Sequence, residues 1–304
     1  MFDLNYILNP QGSITIGSII LISFILGLLH GATPDEHTWP ITFSYAIGSY
    51  SSKKGMKAGF AFSAGFTFQR AILTTLGFLG LAQIYKTYNL DGIVYAVVGI
   101  VMVLAGAYVL NKKKYIHIPF DLLLHGKKHH TELAERKPLH QNIPLKMAVV
   151  HGMIGGFGFG AYASILTFIL APHVPSLIYA PLPGIFFGLG TMAMQILFGA
   201  IFASLTKVGK ISEAEAMKMG RSTAGRTLYY GGIVFALIGV FIIAFPAIDN
   251  YAISTGNPIP NLASIGVSTF LVLIVVGGIG IGSLVKGFVD ILWKNKKGRK
   301  IGAK

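Results

Sequence analysis

The stretch LLHGATPDEHTW, residues 28–39, sets two histidines, two carboxylates and a proline inside an otherwise apolar region. The run before it, from Ile14 to Leu29, carries no charge. His30, Asp35, Glu36 and His37 offer imidazole nitrogens and carboxylate oxygens, donors that suit nickel, cobalt or zinc better than copper(I), while magnesium would want mostly oxygen. On an ideal helix His30 and His37, seven residues apart, fall about 20° from eclipsed at ~3.6 residues per turn. Thr33 and Pro34 share that face. Pro34 has no N–H to give the carbonyl of His30, and Pro40 likewise leaves the carbonyl of Glu36 without its usual donor. Side-chain and main-chain ligands therefore gather at one helix break. Ionisable groups inside a span are costly and face the bundle interior, so the motif is the leading functional candidate. The competing reading ends the span at Gly31 and makes ATPDEHTWP a polar turn; it leaves the apolar ITFSYAIGSY before the lysines without a role.

Other chemistry-bearing residues lie in or between further apolar runs. Arg70 stands mid-segment and needs a partner; Asp35 or Glu36 is expected to serve, leaving the other acid for a substrate, or forming a purely structural pair. Gln69 precedes it, and Gln195 holds a corresponding place in a later segment. His151, in VVHGMIG (149–155), reads either as a packed histidine or as a further ligand. Its neighbours Gly152, Gly156 and Gly160, four apart, suit close helix packing. The connection YIHIPFDLLLHGKKHHTELAERKPLH carries five histidines, His117, His125, His129, His130 and His140. Such a composition binds metal loosely, or is simply a solvated basic loop.

These residues need elements to position them, and composition names the class. Of 304 residues 53% are hydrophobic and 12% charged, against about 25% charged in soluble domains. Seven apolar segments are expected, over 14–48 (broken in the middle), 56–82, 91–110, 146–171, 178–205, 229–248 and 264–293. Continuous strand alternation is absent, and only helices or closed barrels satisfy backbone polarity in lipid. The expectation is an all-α membrane protein of about seven transmembrane helices. The net charge of +14 does not point to nucleic acid, because the cations sit between and after the apolar runs, where they orient a membrane protein and attract anionic lipid. There is no cysteine, which removes disulfides and thiolate ligands together. MFDLNYILNPQG lacks the cationic flank of a signal peptide, so the first span is expected to be retained.

Charge and repetition organise the segments. Lys53, Lys54 and Lys57 mark one connection, eight Lys or Arg against three acids mark 111–146, five bases against two acids mark 207–226, and the tail from Lys294 is basic. The intervening connections carry no such excess, which places the N-terminus outside and the C-terminus inside the cell membrane. LLHGATP (28–34) has a counterpart in VVHGMIG, and Gln69 in Gln195. Three spans separate the copies, so they run in opposite directions, as a 3+3 inverted repeat plus a C-terminal helix. Such repeats hold substrate near the midplane on broken helices. The expected units are 1–111 and 146–248 as the repeats, 112–145 as a His/Lys-rich cytoplasmic loop, and 249–304 as the last helix and tail.

At these residues the chain resembles the nickel/cobalt transporter family and its relatives in the lysine-exporter superfamily. Those permeases carry an H-x4-D-H signature in an early transmembrane helix, with a TPDH variant in some relatives. HGATPDEH supplies His30, Asp35 and His37, with Glu36 inserted between Asp and His. VVHGMIGGFGFGAY is similar to the family's second histidine motif, and a histidine-rich cytoplasmic loop occurs in several nickel/cobalt exporters. The resemblance implies a transport site of His30, Asp35, His37 and His151, with Ni2+ or Co2+ as substrate. Zn2+ also fits the donors, and no cofactor is implied. The expected function is thus metal transport by alternating access rather than enzymatic catalysis. No nucleotide-binding loop is present, so a gradient or a partner subunit supplies the energy; a homo-oligomer is compatible. Two other readings exist: an exporter of an anion or amino acid that uses Arg70, and a membrane metalloenzyme. HGKKHH (125–130) has the H-x3-H-H spacing of a desaturase box, but its companion boxes and any H-E-x-x-H are missing.

Overall fold

A computed structural model of the chain describes residues 7–8, 14–49, 51–88, 90–110, 145–158, 160–207 and 211–301. The five loop histidines and nearly all of the 112–145 unit lie outside these residues. The described chain is almost wholly helical. The helices are α1 (Ile16–Ala32), α2 (Trp39–Gly48), α3 (Ser52–Phe78), α4 (Gln83–Tyr88), α5 (Asp91–Val109), α6 (Leu145–Gly155), α7 (Ala161–Ser164), α8 (Leu182–Ser204), α9 (Glu213–Ala244), α10 (Val267–Val272) and α11 (Gly282–Ile301). π-Helical stretches Ile165–Leu170 and Leu273–Ile281 continue α7 and α10. Strands β1 (Ile253–Ser254) and β2 (Ser264–Ile265) form a two-stranded antiparallel ribbon in the last connection, an addition to the all-α expectation. Among the described residues, Asp91–Val109, Leu177–Lys207, Glu213–Ala244 and Val267–Trp293 are long and apolar enough to cross a membrane. α1, α6 and Ala161–His173 are shorter apolar helices.

Local chemistry sets the ends. Thr15 caps α1 through its side chain, which accepts from Ser18 N–H at 3.2 Å. α9 begins with a reciprocal box in which Ser212 Oγ accepts from Glu215 N–H at 3.3 Å and Glu215 accepts from Ser212 N–H at 2.8 Å. α1 stops because a residue before proline is pushed out of the helical region: Thr33, before Pro34, is extended at φ −90°, ψ 147°. His30 and His37 are therefore not on one continuous helix face, as an unbroken span would have placed them. The fourth apolar segment is broken as well. α6 ends at Gly155 and α7 starts only at Ala161, because Gly156, Gly158 and Gly160 read as apolar in hydropathy yet favour helix poorly.

Glycine lets the helices touch backbone to backbone. A Cβ on Gly27 would lie 2.0 Å from the Phe187 carbonyl oxygen, and one on Gly31 would lie 2.7 Å from Met194 Cβ, so α1 runs parallel to α8. Gly152 would meet the Phe62 oxygen at 1.9 Å and Gly156 the side chain of Gln69 at 2.4 Å, so α6 runs parallel to α3. Against these, α3 and α8 are antiparallel, with Gly55 at 2.1 Å from the Gly199 oxygen and Gly184 at 2.1 Å from the Arg70 oxygen. α5 and α9 are antiparallel too, through Gly92 with Gly239 and Gly99 with Gly232. Of the three glycines expected to pack α6, Gly152 and Gly156 do so. Gly160 faces open space where a Cβ would project and instead opens α7.

Overpacking a tight crossing costs about 3 kcal/mol at the upper end of the usual range. Gly152→Val is expected to lower the melting temperature in detergent sharply or prevent recovery of monodisperse protein, whereas Gly160→Ala should behave as wild type. Equal tolerance of both changes would contradict the α3–α6 contact.

Candidate functional site

The site grows from residues 33–38, between α1 and α2. With Thr33 extended, its hydroxyl turns back and donates to the Leu29 carbonyl at 2.8 Å. Asp35 Oδ1 then accepts the backbone N–H groups of His37 and Thr38, each at 3.0 Å, and the Asp35 carbonyl accepts from Trp39 N–H at 3.0 Å. One carboxylate oxygen thus satisfies the turn, and the other faces His30: Asp35 Oδ2 is 3.3 Å from His30 Nε2. Glu36 Oε1 is 3.0 Å from His37 Nδ1 and accepts the Tyr95 hydroxyl at 3.0 Å. All four motif side chains are buried, at 4–8% exposure. Ligand atoms of Asp35, Glu36 and His37 lie within 4.8 Å of one another.

Hydrogen-bond logic sets the nitrogens. The Thr191 hydroxyl donates to the Gly27 carbonyl at 3.2 Å, so its oxygen is left to accept from His30 Nδ1 at 3.4 Å. His30 Nε2 then faces a carboxylate oxygen, a contact that is attractive only with a proton or a metal cation at that nitrogen. His37 Nδ1–H donates to Glu36, while His37 Nε2 is buried and has no hydrogen-bond partner among the described residues. An imidazole held by a carboxylate through one nitrogen and bare at the other is the arrangement that orients metal-binding histidines. The His37 ring stacks on Tyr95 with centroids 5.0 Å apart and planes 19° apart. The ring also covers Gly158, where a Cβ would lie 2.5 Å from it.

The second helix break, after Gly155, therefore meets the first. A Cβ on Gly155 would lie 3.2 Å from the His37 carbonyl oxygen. Arg70 Nη2 donates to the Gly158 carbonyl at 3.0 Å, with its guanidinium 4.7 Å from the Phe66 ring and 5.7 Å from that of Phe187. Sequence reasoning pairs Arg70 with Asp35 or Glu36. In the structure those carboxylates engage His30 and, respectively, His37 with Tyr95; Arg70 supplies the donor that a carbonyl freed by the second break requires, and its charge acts on Asp35 through space. Gln69 is 1% exposed, and its amide atoms have no hydrogen-bond partner among the described residues. Gln195 Nε2 donates to the Gly31 carbonyl at 3.3 Å, directly beside His30.

His151 stands apart from the cluster. Its Nδ1 is 2.9 Å from both the Met147 carbonyl and the Tyr45 hydroxyl. A carbonyl can only accept, so Nδ1 carries the proton and the buried Nε2 is bare. Gly155, one turn further along α6, is the residue that meets His37, which sets His151 about 6 Å back toward the start of α6 at ~1.5 Å per residue. The structure thus brings His30, Asp35, Glu36 and His37 together, ties Arg70 and Gln69 to the second break, and puts Gln195 against α1. Tyr95 is the residue that sequence reasoning missed. It is one of two tyrosines in an apolar helix, 59 positions from Glu36, and no local pattern signals it.

On the side of α5 where Asp91 begins the helix, the connection after α9 brings in Asp249. Burial, then the neighbouring charges of Asp91 and Glu36, push the Asp249 carboxyl up to about 6. No family model matches the chain, and neither does any curated protein or solved structure.

Because the folded protein holds a proton on Asp249 more tightly than the unfolded chain, this group's contribution to stability is lost as pH rises from about 4 through about 6. Asp249→Asn is expected to melt higher than wild type at pH 7.5, by no more than about 1 kcal/mol for a partly exposed group. The advantage should vanish near pH 4. Thermal melts in detergent at the two pH values check this; an advantage unchanged at low pH would contradict it.

Proposed function

We propose that the protein is a membrane transporter that moves a divalent transition-metal cation, nickel or cobalt foremost, by alternating access, with the ion as substrate. The carrying observation is the buried junction of His30, Asp35, Glu36 and His37 at a helix break. Nitrogen and oxygen donors without sulfur suit these metals, and two such side-chain types buried among apolar helices are retained for binding rather than for stability. In this reading His30, Asp35 and His37 are ligands, Glu36 orients His37, and His151 offers its bare Nε2 one turn toward the cytoplasm. Gln69 and Gln195 line the two ends. Arg70, occupied with the Gly158 carbonyl and two aromatic rings, fixes the second break, and so the cation reading stands ahead of an anion exporter.

The reading takes α1 with α2, α3, α5, α6 with 161–173, α8, α9 and α10 with α11 as seven spans, with the N-terminus outside. Its support is the packing pattern. An inverted repeat of α1–α3–α5 and α6–α8–α9 requires that α1 against α8 match α6 against α3. It also requires that the self-paired contacts, α3 with α8 and α5 with α9, be antiparallel. The glycine contacts follow that pattern.

Transport of Ni2+ or Co2+ into proteoliposomes tests the function. His30→Ala and His37→Ala should each remove nearly all of it, and the double variant should be no worse, because ligands of one ion do not act independently. Two modest, additive losses would overturn the reading. Orientation is tested with single cysteines in this cysteine-free chain. Ser254→Cys should react with an impermeant thiol reagent in intact cells, and Ser52→Cys and Ser212→Cys only after permeabilisation. Labelling of all three from outside would reject the seven-span arrangement.

A further inference from the structure

Resting on the metal-transport reading, we infer that Tyr95 is a positioning residue that sets the affinity of the centre: its hydroxyl holds Glu36 so that Glu36 holds His37 with Nε2 turned to the ion. One oxygen, Glu36 Oε1, receives two donors, the Tyr95 hydroxyl at 3.0 Å and His37 Nδ1–H at 3.0 Å. Without the tyrosine, the Glu36 side chain keeps several rotatable bonds and a single restraint. With it, the carboxylate is pinned between α5 and the break.

The ring of Tyr95 does a second part of the same task. Stacked on His37 at 5.0 Å and backed by Phe235 of α9 at 6.0 Å, it leaves the imidazole little room to rotate. A half-turn of that ring about Cβ–Cγ would put Cδ2 in the place of Nδ1 and Cε1 in the place of Nε2, breaking the Glu36 bond and turning a carbon to the ion. The stack and the Glu36 bond oppose that half-turn together. The Tyr95 oxygen also lies 3.5 Å from Ser268 Oγ, in α10. It therefore keeps a second neighbour when Glu36 moves, and links the last apolar run to the centre. This chain of contacts also gives Glu36 its place. It is the acid inserted between the Asp and the His of the resembled signature, and it serves as an orienting carboxylate, leaving Asp35 as the acid that meets the ion.

Loss of an outer partner of a metal-binding histidine weakens affinity about 10–100-fold. The test uses the purified full-length chain in detergent and Co2+ as the probe, whose visible absorption reports both binding and ligand geometry. Tyr95→Phe keeps the ring and removes the hydroxyl alone. It should melt as wild type does, bind Co2+ about 10–100-fold more weakly, and change the intensity of the visible bands. Glu36→Gln should lose a similar factor, and the double variant should be no worse than Glu36→Gln. His37→Ala, by contrast, should abolish binding. If Tyr95→Phe does not fold, Glu36→Gln decides: a partial loss supports the inference, and complete loss, the signature of a ligand, overturns it. Tyr95→Phe binding as tightly as wild type, with an unchanged spectrum, removes the inference alone. A wild-type protein that takes up no Co2+ removes the metal reading and the inference with it.

Discussion

The arrangement depends on how one carboxylate divides its two oxygens. Breaking a helix among apolar neighbours frees backbone N–H and C=O groups that lipid cannot satisfy, so the break survives only if side chains answer for them. Asp35 Oδ1 answers for the N–H groups of His37 and Thr38, and the Thr33 hydroxyl reinforces the Leu29 carbonyl. Once the turn is satisfied internally, Asp35 Oδ2 is left to face His30. Asparagine could accept the same two N–H bonds but would not place a charge before the imidazole. The residue type at position 35 is thus fixed by backbone and chemistry at once, and Pro34 fixes where the turn must come.

From that turn outward, each neighbour is placed by close contact rather than by bulk. Gly158 admits the His37 ring, Gly31 and Gly27 admit α8, and Gly152 admits α3. α3 is the hinge of this scheme, since it touches α8 along one side and α6 along the other, and its Arg70 reaches the second break. The two breaks therefore form one object. A movement of α6 relative to α2 must shift Gly155 and Gly158 against His37, and cannot leave the imidazole where it was. A site at such a junction answers to the relative position of two helical groups, which is the requirement that alternating access makes of a transport site.

How far the sequence reveals this follows from which forces are local. The apolar runs, the break at Pro34 and the gathering of His30, Asp35 and His37 are local in sequence, and all three were legible there. The second break was not, because Gly and Phe in GFGFG score as apolar whether or not they are helical. One partner of Arg70 was not legible for a related reason: charge suggests a carboxylate, and Arg70 does act on Asp35 through space, but it also donates to a backbone carbonyl 88 positions away. His151 shares its motif with His30, yet its distance from His37 depends on the register between α6 and α2, which glycine contacts set and hydropathy does not record. Tyr95 is legible only once α5 is placed beside the break.

Charge is the ground on which the proposed cation reading stands ahead of the others. Around the break two carboxylates, Asp35 and Glu36, face one guanidinium, Arg70, and Asp91 and Asp249 add negative charge on the side where α5 begins. Imidazoles contribute positive charge only when protonated, and the Nδ1 of His37 is already committed to Glu36 while its Nε2 has no acceptor nearby. Burying unbalanced charge is costly, so the centre is most stable when something positive joins it, either a proton on the His30 nitrogen that faces Asp35 or a cation. An anion would deepen the imbalance, and a neutral solute would leave it untouched. In the proposed reading a divalent cation among His30, Asp35 and His37 would correct it, and at the same time would give the bare His37 nitrogen a partner.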